Sequence, residues 1–330
     1  MKFPHVALGR ARLSGAACVV TLRYRLRPLT AQLGVVAVSA VALVGVLPTL
    51  TAPAQAGPLA PMLEAPGRDQ RPLDLAHAPN ARDIGGYPVR GGGKVRFGVV
   101  YRADALAELD GAEQQRLVDL GVQQVIDFRS PTEVAQAPDK LPAAIRRTEY
   151  PVYDANNDLY VLMSRLIAGG PQAQREALGD GKGVQYMSDY YRWLVTDASA
   201  RGQFAAALRD IAGAPGAVLY HCTAGKDRTG WMTAILFSVL GVPDGQIYQD
   251  FLASNANLAA GNKALLDNLV AQGLVEDPEL WEPILGVQRE FLDAAFDQVR
   301  RSYGSMDEFL TAGLGLDTAT LDALRSALVG

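Results

Sequence analysis

The sequence places a short apolar segment, a compact polar loop and a longer apolar segment in direct succession, and this succession constrains the fold most. Residues 217–221 have the length and composition of a buried strand. Residues 229–240 are too long an apolar run for a typical strand, and Gly241 with Pro243 just beyond predicts the end of a helix. Helix and strand patterns alternate over 111–240, which predicts an α/β fold with a small central, mostly parallel sheet flanked by helices.

The C-terminal part of the chain is predicted to be helical. Residues 244–328 carry apolar side chains at helical spacing, most clearly over 284–303. Such an apolar stripe is a core face far more often than a cofactor site. The aromatic side chains of a further helix, predicted over 186–197, are interpreted as a packed face, with a lid over a pocket as the alternative.

The polar loop between strand and helix reads His-Cys-Thr-Ala-Gly-Lys-Asp-Arg-Thr-Gly over 221–230 and carries the candidate chemistry. Its backbone N–H groups and the helix N-terminus would form a cradle of positive potential for an anion, in which Cys222 is stabilised as the thiolate. Arg228 can hold two oxygens of a tetrahedral anion, and Thr229 can donate its hydroxyl to a leaving thiolate. Phosphoryl transfer to sulfur, followed by hydrolysis, uses the nucleophile, the cradle and the bidentate cation together.

This string resembles the signature of cysteine-dependent protein tyrosine phosphatases, in the branch of bacterial secreted tyrosine and phosphoinositide phosphatases. Three flanking segments resemble the same family: Asn-Ala-Arg-Asp-Ile-Gly-Gly over 80–86, Asp-Phe-Arg-Ser-Pro-Thr-Glu over 127–133 and Asp-Phe-Leu-Ala-Ser-Asn over 250–255. The similarity therefore covers about residues 80–255. The resemblance implies the α/β fold of that family, with the loop at the C-terminal edge of the central sheet. It also implies an enzyme that needs neither a metal nor another cofactor.

The resemblance implies a role for each residue of the loop. Cys222 would be the nucleophile and Arg228 the phosphate clamp, while His221 would orient the loop and support the thiolate. Lys226 resembles the additional cation of phosphatases that act on phosphoinositides, which adds these lipids to phosphotyrosine as candidate substrates; a solvated charge is the alternative. The equatorial phosphate oxygens would be bound by the backbone of residues 223–228, which includes Thr223, Ala224 and Gly225.

The sequence leaves the general acid open among three aspartates. Asp227 lies inside the signature, as in this branch of the family, and is the first choice. Asp127 at the end of a predicted strand is the second and Asp83 the third, and both are also candidate substrate contacts. Each has a structural alternative: Asp227 as a charge at a helix N-terminus, Asp127 in an ion pair with Arg129, and Asp83 as a brace of its loop.

Residues 1–56 are predicted to be a signal peptide. A basic region precedes apolar residues 33–47 and a small-x-small cleavage pattern that ends at Ala56. An uncleaved membrane anchor is the alternative, although the apolar run is shorter than the about 20 residues that a spanning helix needs. Cleavage would place the protein in the periplasm or the medium without a membrane span. Residues 57–79 are interpreted as a linker and 80–330 as the catalytic domain.

The distribution of charge, histidine and cysteine limits the partners. Residues 1–56 contain six basic and no acidic side chains, so the rest of the chain has a formal charge of −10. This argues against nucleic acid or an anionic lipid surface as a general partner and leaves a phosphorylated protein or phosphoinositide at the loop. Three scattered histidines are too few for a His-built zinc site. Cys222 is the one cysteine beyond the predicted signal peptide, so no intramolecular disulfide is expected.

Two rival functions remain open at this point. The first is another cysteine-loop enzyme, such as a sulfurtransferase or arsenate reductase. Arg228-Thr229 and the lack of a second, resolving cysteine count against it. The second is a pseudophosphatase that binds phosphorylated partners without turnover, and the intact pair of Cys222 and Arg228 argues against this reading.

Overall fold

A computed structural model describes residues 71–156 and 158–330, with a six-stranded sheet at the centre. The strands are β1 (Arg71–Pro72), β2 (Arg82–Asp83), β3 (Val100–Ala103), β4 (Val122–Asp127), β5 (Arg146–Glu149) and β6 (Ala217–His221). Their order across the sheet is β1-β2-β3-β6-β4-β5, with β3, β6, β4 and β5 parallel and the first two strands antiparallel at one edge. The predicted α/β fold with a small, mostly parallel central sheet is confirmed.

The helices begin and end at local sequence signals. Asp110 and Ser130 each start a helix with a capping box, in which a glutamate three residues on bonds back to the cap. One long helix is broken at Gly170, where φ is +73°. The α-helices in the described part of the chain are α1 (Gly111–Asp119), α2 (Pro131–Gln136), α3 (Leu159–Leu178), α4 (Lys182–Thr196), α5 (Ala198–Gly213), α6 (Arg228–Leu240), α7 (Asp244–Ala271), α8 (Glu282–Leu285), α9 (Arg289–Tyr303), α10 (Met306–Glu308) and α11 (Thr318–Leu328). A 3-10 turn, Pro278–Trp281, precedes α8, and a π-helical turn, Phe309–Gly313, follows α10.

Strand β6 is buried on both faces of the sheet. Val218 and Tyr220 pack into the larger apolar cluster, which includes side chains of α4, α5, α6 and α9. Ala217 and Leu219 point to the opposite face and pack into a smaller cluster with Leu117 of α1. Burial on both faces explains why this strand has an uninterrupted apolar sequence.

Packed structure extends N-terminal of the predicted domain boundary at residue 80. Leu73 and Leu75, in the segment interpreted as a linker, are buried in the smaller cluster, and the Leu73 N–H donates to the Ala81 carbonyl at 3.1 Å. These two leucines lie in a segment without helix or strand periodicity, so no sequence pattern predicts their packing. The predicted signal peptide and residues 57–70 lie outside the described residues. Within the described ranges, no helix combines the length and apolar character needed to cross a membrane.

Candidate active site

The loop 222–227 joins β6 to α6 at the edge where the parallel strands end. Ala103 of β3 and Asp127 of β4 are both in register with His221 of β6, so the three strand ends lie side by side at the loop. Gly225 has φ +64°, and a Cβ built there would lie 2.3 Å from the Ala103 carbonyl oxygen. Because only glycine tolerates both conditions, this residue seats the loop directly on β3.

The loop presents hydrogen-bond donors around the cysteine. Over 71–156 and 158–330, no protein acceptor takes a hydrogen bond from the amide N–H groups of residues 223–228. Cys222 is a free thiol that is 2% exposed. The Thr229 hydroxyl is buried without a hydrogen-bond partner in the same part of the chain. Unused donors around a thiol are what an anion-binding loop requires.

Arg228, the first residue of α6, is held by Glu133, a residue that the sequence analysis did not single out. Its Nη1 and Nη2 donate to the two carboxylate oxygens of Glu133 at 2.7 and 2.6 Å. Burial alone would raise the pKa of Glu133, but the charge and hydrogen bonds of Arg228 outweigh it and lower that pKa to about 2. Burial alone would lower the pKa of Arg228, but the charge and hydrogen bonds of Glu133 outweigh it and hold that pKa well above its usual value.

Glu133 is itself fixed by its own helix and by the loop. The Ser130 N–H donates to one carboxylate oxygen at 2.7 Å within the capping box of α2, and the Thr223 hydroxyl donates to the other. One carboxylate therefore contacts both ends of the signature loop. The Ser-x-x-Glu spacing in the sequence signals the helix cap, but no local pattern signals the contact with Arg228.

The other two family-like segments hold the middle of the loop through buried polar groups. The Asn80 side chain donates to the carbonyl oxygens of Ala224 and Gly225 at 2.9 and 3.1 Å. Arg102 of β3 donates to the Gly225 carbonyl at 2.7 Å and pairs with Asp250 of α7. The N–H and C=O of a peptide unit point in opposite directions, so holding these carbonyls on one side turns the adjoining N–H groups to the other.

Lys226 and Asp227 form an ion pair where α6 begins. The Lys226 ammonium donates to both carboxylate oxygens at 3.1 and 2.8 Å and to the Gly286 carbonyl at 3.0 Å. Tyr191 of α4, which the sequence analysis assigned to a packed helix face, donates its hydroxyl to Asp227 at 3.0 Å. Asp227 makes no cap bond to the helix amides. Its carboxylate is therefore oriented by Lys226 and Tyr191.

Helix α4 is part of the core and also borders the loop. Tyr191 is fully buried, and Tyr190 stacks on Trp193 with ring centroids 5.7 Å apart and planes inclined by 20°. Burial raises the pKa of Tyr190 well above its usual value, against the smaller lowering effect of the charge of Arg228. The packed aromatic helix thus brings Tyr190 beside the signature loop.

The two remaining candidate acids have contacts that conflict with proton donation. Asp127 is fully buried, and two arginines pair with its carboxylate at 2.8 and 2.7 Å. Burial alone would raise the pKa of Asp127, but the charge of His221 and the bonds from these arginines hold it well below its usual range. Asp83 accepts from the N–H groups of Gly85 and Gly98, each at 2.7 Å. These contacts match the structural alternatives given for both residues, an ion pair with Arg129 for Asp127 and a brace of its loop for Asp83.

Comparisons with known proteins show which family the chain belongs to. The model of the tyrosine phosphatase family matches residues 73–330. A candidate tyrosine-protein phosphatase of Cupriavidus necator is 34% identical over 242 residues, which are 73% of this chain and 84% of that protein. The triple specificity protein phosphatase PtpB of Mycobacterium tuberculosis is 29% identical over 259 residues, 72% of this chain and 92% of that protein. An alignment with the crystal structure of P. aeruginosa TpbA covers 70% of this chain and 86% of the TpbA chain, at 18% identity and a TM-score of 0.23.

A strand, a Cys-x5-Arg loop and a helix at the C-terminal edge of an α/β sheet define a phosphatase of the cysteine-dependent class. The family match over residues 73–330 and the 34% identical relative show the family. The chain belongs to the tyrosine phosphatase family and is a protein-tyrosine phosphatase.

Proposed function

We propose that this phosphatase hydrolyses phosphomonoesters through a phosphocysteine intermediate on Cys222. The observation that carries the proposal is the set of unused N–H donors of residues 223–228 around a free thiol, in the part of the chain that the structure describes, with Arg228 fixed nearby by Glu133. Donors that are already in place stabilise the charge on a transferring phosphoryl group without reorganisation.

The proposed reaction has two steps. First, the Cys222 sulfur attacks phosphorus, an S–P bond forms, and the bond to the leaving oxygen breaks as that oxygen takes a proton from Asp227. Second, a water oxygen attacks phosphorus, the S–P bond breaks, and Asp227 accepts the proton that the water releases. The unused hydroxyl of Thr229 would donate to the sulfur as it departs.

Asp227 is the proposed general acid because its carboxylate belongs to the signature loop itself. Lys226 and Tyr191 donate to this carboxylate and hold it in position before substrate binds. The proposal requires Asp227 to carry a proton when a phosphate dianion occupies the loop, so that the leaving oxygen can take it. After the transfer, the same two donors would stabilise the carboxylate that accepts the proton from water.

Phosphotyrosine is the proposed first substrate class, with phosphoserine, phosphothreonine and phosphoinositides as further candidates. Lys226 supports the last class, because a second cation beside the loop suits a substrate with more than one phosphate. Its side chain is 4% exposed and its ammonium is paired with Asp227, so the ammonium would have to leave that ion pair to meet a second phosphate. The name of the M. tuberculosis relative states triple specificity, which supports testing several classes.

A substrate panel tests the proposal. Wild type, Cys222→Ser and the remote surface variant Lys263→Ala are assayed, with and without a chelator, on peptides with phosphotyrosine, phosphoserine or phosphothreonine, on phosphoinositide vesicles and on inositol polyphosphates. We expect Cys222→Ser to lose at least about 10⁴-fold in turnover while still binding substrate, and Lys263→Ala to match wild type. Acid-quenched wild type should carry phosphate on the Cys222 peptide in mass spectrometry.

Three outcomes would contradict this proposal. Turnover by Cys222→Ser would exclude the phosphocysteine step. Release of sulfur from thiosulfate without phosphatase activity would favour a sulfurtransferase. Binding without turnover in the wild type, unaffected by Cys222→Ser, would favour a pseudophosphatase.

We also propose that the protein is exported to the periplasm or the medium. The support is the order of basic region, apolar region and small-x-small pattern over residues 23–56. N-terminal sequencing of the protein from fractionated cells tests this. A mature chain that begins at Gly57 outside the cytoplasm is expected, and an unprocessed chain in the cytoplasm would contradict it.

A further inference from the structure

Both ring nitrogens of His221 face oxygen atoms, an arrangement that favours a proton on each nitrogen. Nδ1 lies 3.0 Å from the Cys222 carbonyl oxygen. Nε2 lies 3.2 Å from Oδ2 of Asp139 and 3.9 Å from Oδ1 of Asp127. Carbonyl and carboxylate oxygens can only accept, and a neutral imidazole has a single N–H. The hydrogen bond at Nδ1 and the carboxylates that face Nε2 are therefore most favourable for the imidazolium.

Asp139, in the loop that follows α2, is the carboxylate nearest to this ring. Its Oδ1 accepts from the Leu106 N–H at 3.2 Å and pairs with Arg129 at 2.8 Å. Its Oδ2 faces His221 and the Nε of Arg147, both at 3.2 Å. Asp139 Oδ2, Arg147 Nε and His221 Nε2 are buried, and none of the three makes a hydrogen bond within the described chain, so their ion-pair contacts at 3.2 Å compensate their charges. The ring and Asp139 thus depend on each other for charge compensation.

The charges around the ring come from several elements of the fold. The charged side chains that face or act on His221 are Asp127, Asp139, Arg129, Arg147 and Asp104. Burial alone would lower the pKa of His221, but Asp139 and Asp127 outweigh it and raise that pKa. The charges of Arg129 and Arg147 balance those of Asp127 and Asp139. With an imidazolium at His221, these five side chains together carry one positive charge, and with a neutral ring they carry none.

We propose that Asp139 is a positioning residue of the phosphatase reaction, which together with Asp127 keeps His221 protonated next to Cys222 so that the positive charge favours the thiolate. The proposal rests on the proposed role of Cys222 as nucleophile. Asp139 acts through His221, whose Nδ1–H donates to the carbonyl of Cys222, and not by contact with the sulfur.

The first experiment reads the protonation of His221 directly. The chain has three histidines, so nitrogen-15 NMR of histidine-labelled protein gives few ring signals, and His221→Gln assigns the one of interest. Wild-type His221 is expected to show two ring protons at pH 7. In Asp139→Asn its titration should move down by about one pH unit or more, since an opposite charge at this distance is worth about that much. A neutral ring in the wild type at pH 7 would overturn the proposal.

The second experiment follows the thiolate. Alkylation of Cys222 by iodoacetamide is measured against pH for wild type, Asp139→Asn and Glu149→Gln. Glu149→Gln is the matched control, because it removes an exposed carboxylate that pairs with Arg147 at 2.7 Å but does not face His221. We expect Asp139→Asn to raise the pH midpoint of alkylation by about one unit. At pH values below that midpoint, kcat/KM should be about tenfold lower than in the wild type. Glu149→Gln should change neither.

A double variant separates an effect through His221 from a loss of structure. In a His221→Gln background, Asp139→Asn should no longer move the alkylation midpoint, whereas independent effects would add. Thermal unfolding of each variant reports on the fold. An unchanged midpoint in Asp139→Asn, or an equal change in both backgrounds, would refute the proposal. If Cys222 were not the nucleophile, Cys222→Ser would keep its activity, while the NMR and alkylation results would stand unaffected.

Discussion

At the scale of single residues, the site is built from buried charges that each have a defined partner. Arg228 is paired with Glu133, and Lys226 with Asp227, in surroundings that exclude most water. Removing one member of such a pair leaves the other charge buried and uncompensated, which typically costs about 3–5 kcal/mol. A residue that does not contact the sulfur can therefore matter as much as one that does.

Glu133 should affect catalysis through Arg228. Glu133→Gln keeps the shape of the side chain but removes the charge that fixes the guanidinium, so we expect kcat/KM to fall about 10²-fold with a smaller loss of stability. Glu133→Ala should also lower the free energy of unfolding by about 3–5 kcal/mol. Steady-state kinetics and urea unfolding measure the two effects.

Glu113→Gln is the matched control for Glu133. Glu113 fills the same capping-box position in α1, where its carboxylate accepts from the Asp110 N–H at 2.9 Å, but it does not contact Arg228. It should alter stability slightly and leave kcat/KM unchanged. An equal loss of activity in both variants would show that Glu133 acts as a helix cap and not through Arg228.

The choice of general acid is tested by the leaving group. Asp227→Asn should slow turnover by about 10²–10⁴-fold for substrates whose leaving oxygen needs a proton, and much less for those with acidic leaving groups. The measurement is kcat against the acidity of the leaving phenol, with Asp127→Asn alongside. A dependence on the leaving group in Asp127→Asn alone would transfer the role to Asp127.

At the scale of elements, the strand, loop and helix of 217–240 form one unit that only a few backbone positions permit. Gly225→Ala combines a positive φ with a Cβ 2.3 Å from the Ala103 carbonyl, so the loop must move away from β3. We expect a loss of about 1–3 kcal/mol in the free energy of unfolding and a large loss of activity, measured by urea unfolding and phosphatase assays.

Gly261→Ala gives the opposite expectation within the same chain. Gly261 lies inside α7, and a Cβ there would meet nothing within 4 Å. Alanine should stabilise the helix by up to about 1 kcal/mol without changing activity. Activity retained in Gly225→Ala would show that the loop does not need the close contact of Gly225 with β3.

The same unit shows how much the sequence predicts. Its strand, its helix and the order of the loop residues follow from apolar periodicity, Gly241 and local spacing, and the structure contains them with nearly the predicted bounds. Glu133, Tyr191 and Asp139 were missed because their roles depend on contacts between segments far apart in the chain, which no local pattern records. Leu73 and Leu75 were missed because two apolar residues in an irregular segment have no periodicity.

At the scale of the whole molecule, two buried carboxyl groups make stability depend on pH in opposite directions. The pKa of Glu133 is lowered to about 2 in the folded protein. Its contribution to the free energy of unfolding is therefore present at pH values above the pKa of glutamate in the unfolded chain, and it is lost as the pH falls through 2. Burial raises the pKa of Asp104 to about 7, against the weaker opposing effect of its hydrogen bonds. Its contribution is present at low pH and is lost as the pH rises from about 4 to about 7.

Asp104→Asn should remove the second of these dependences. Asp104 follows β3 and is 8% exposed, and its Oδ1 accepts from the Asn80 N–H at 3.1 Å, a bond that an asparagine oxygen can keep. The variant should equal wild type near pH 4 and become more stable as the pH rises, by up to about 4 kcal/mol at pH 8. Urea unfolding at a series of pH values measures this, with the exposed Asp119→Asn as control. A difference between Asp104→Asn and wild type that does not change with pH would mean that Asp104 is already ionised in the folded protein, with its charge compensated by Asn80 and the nearby cations.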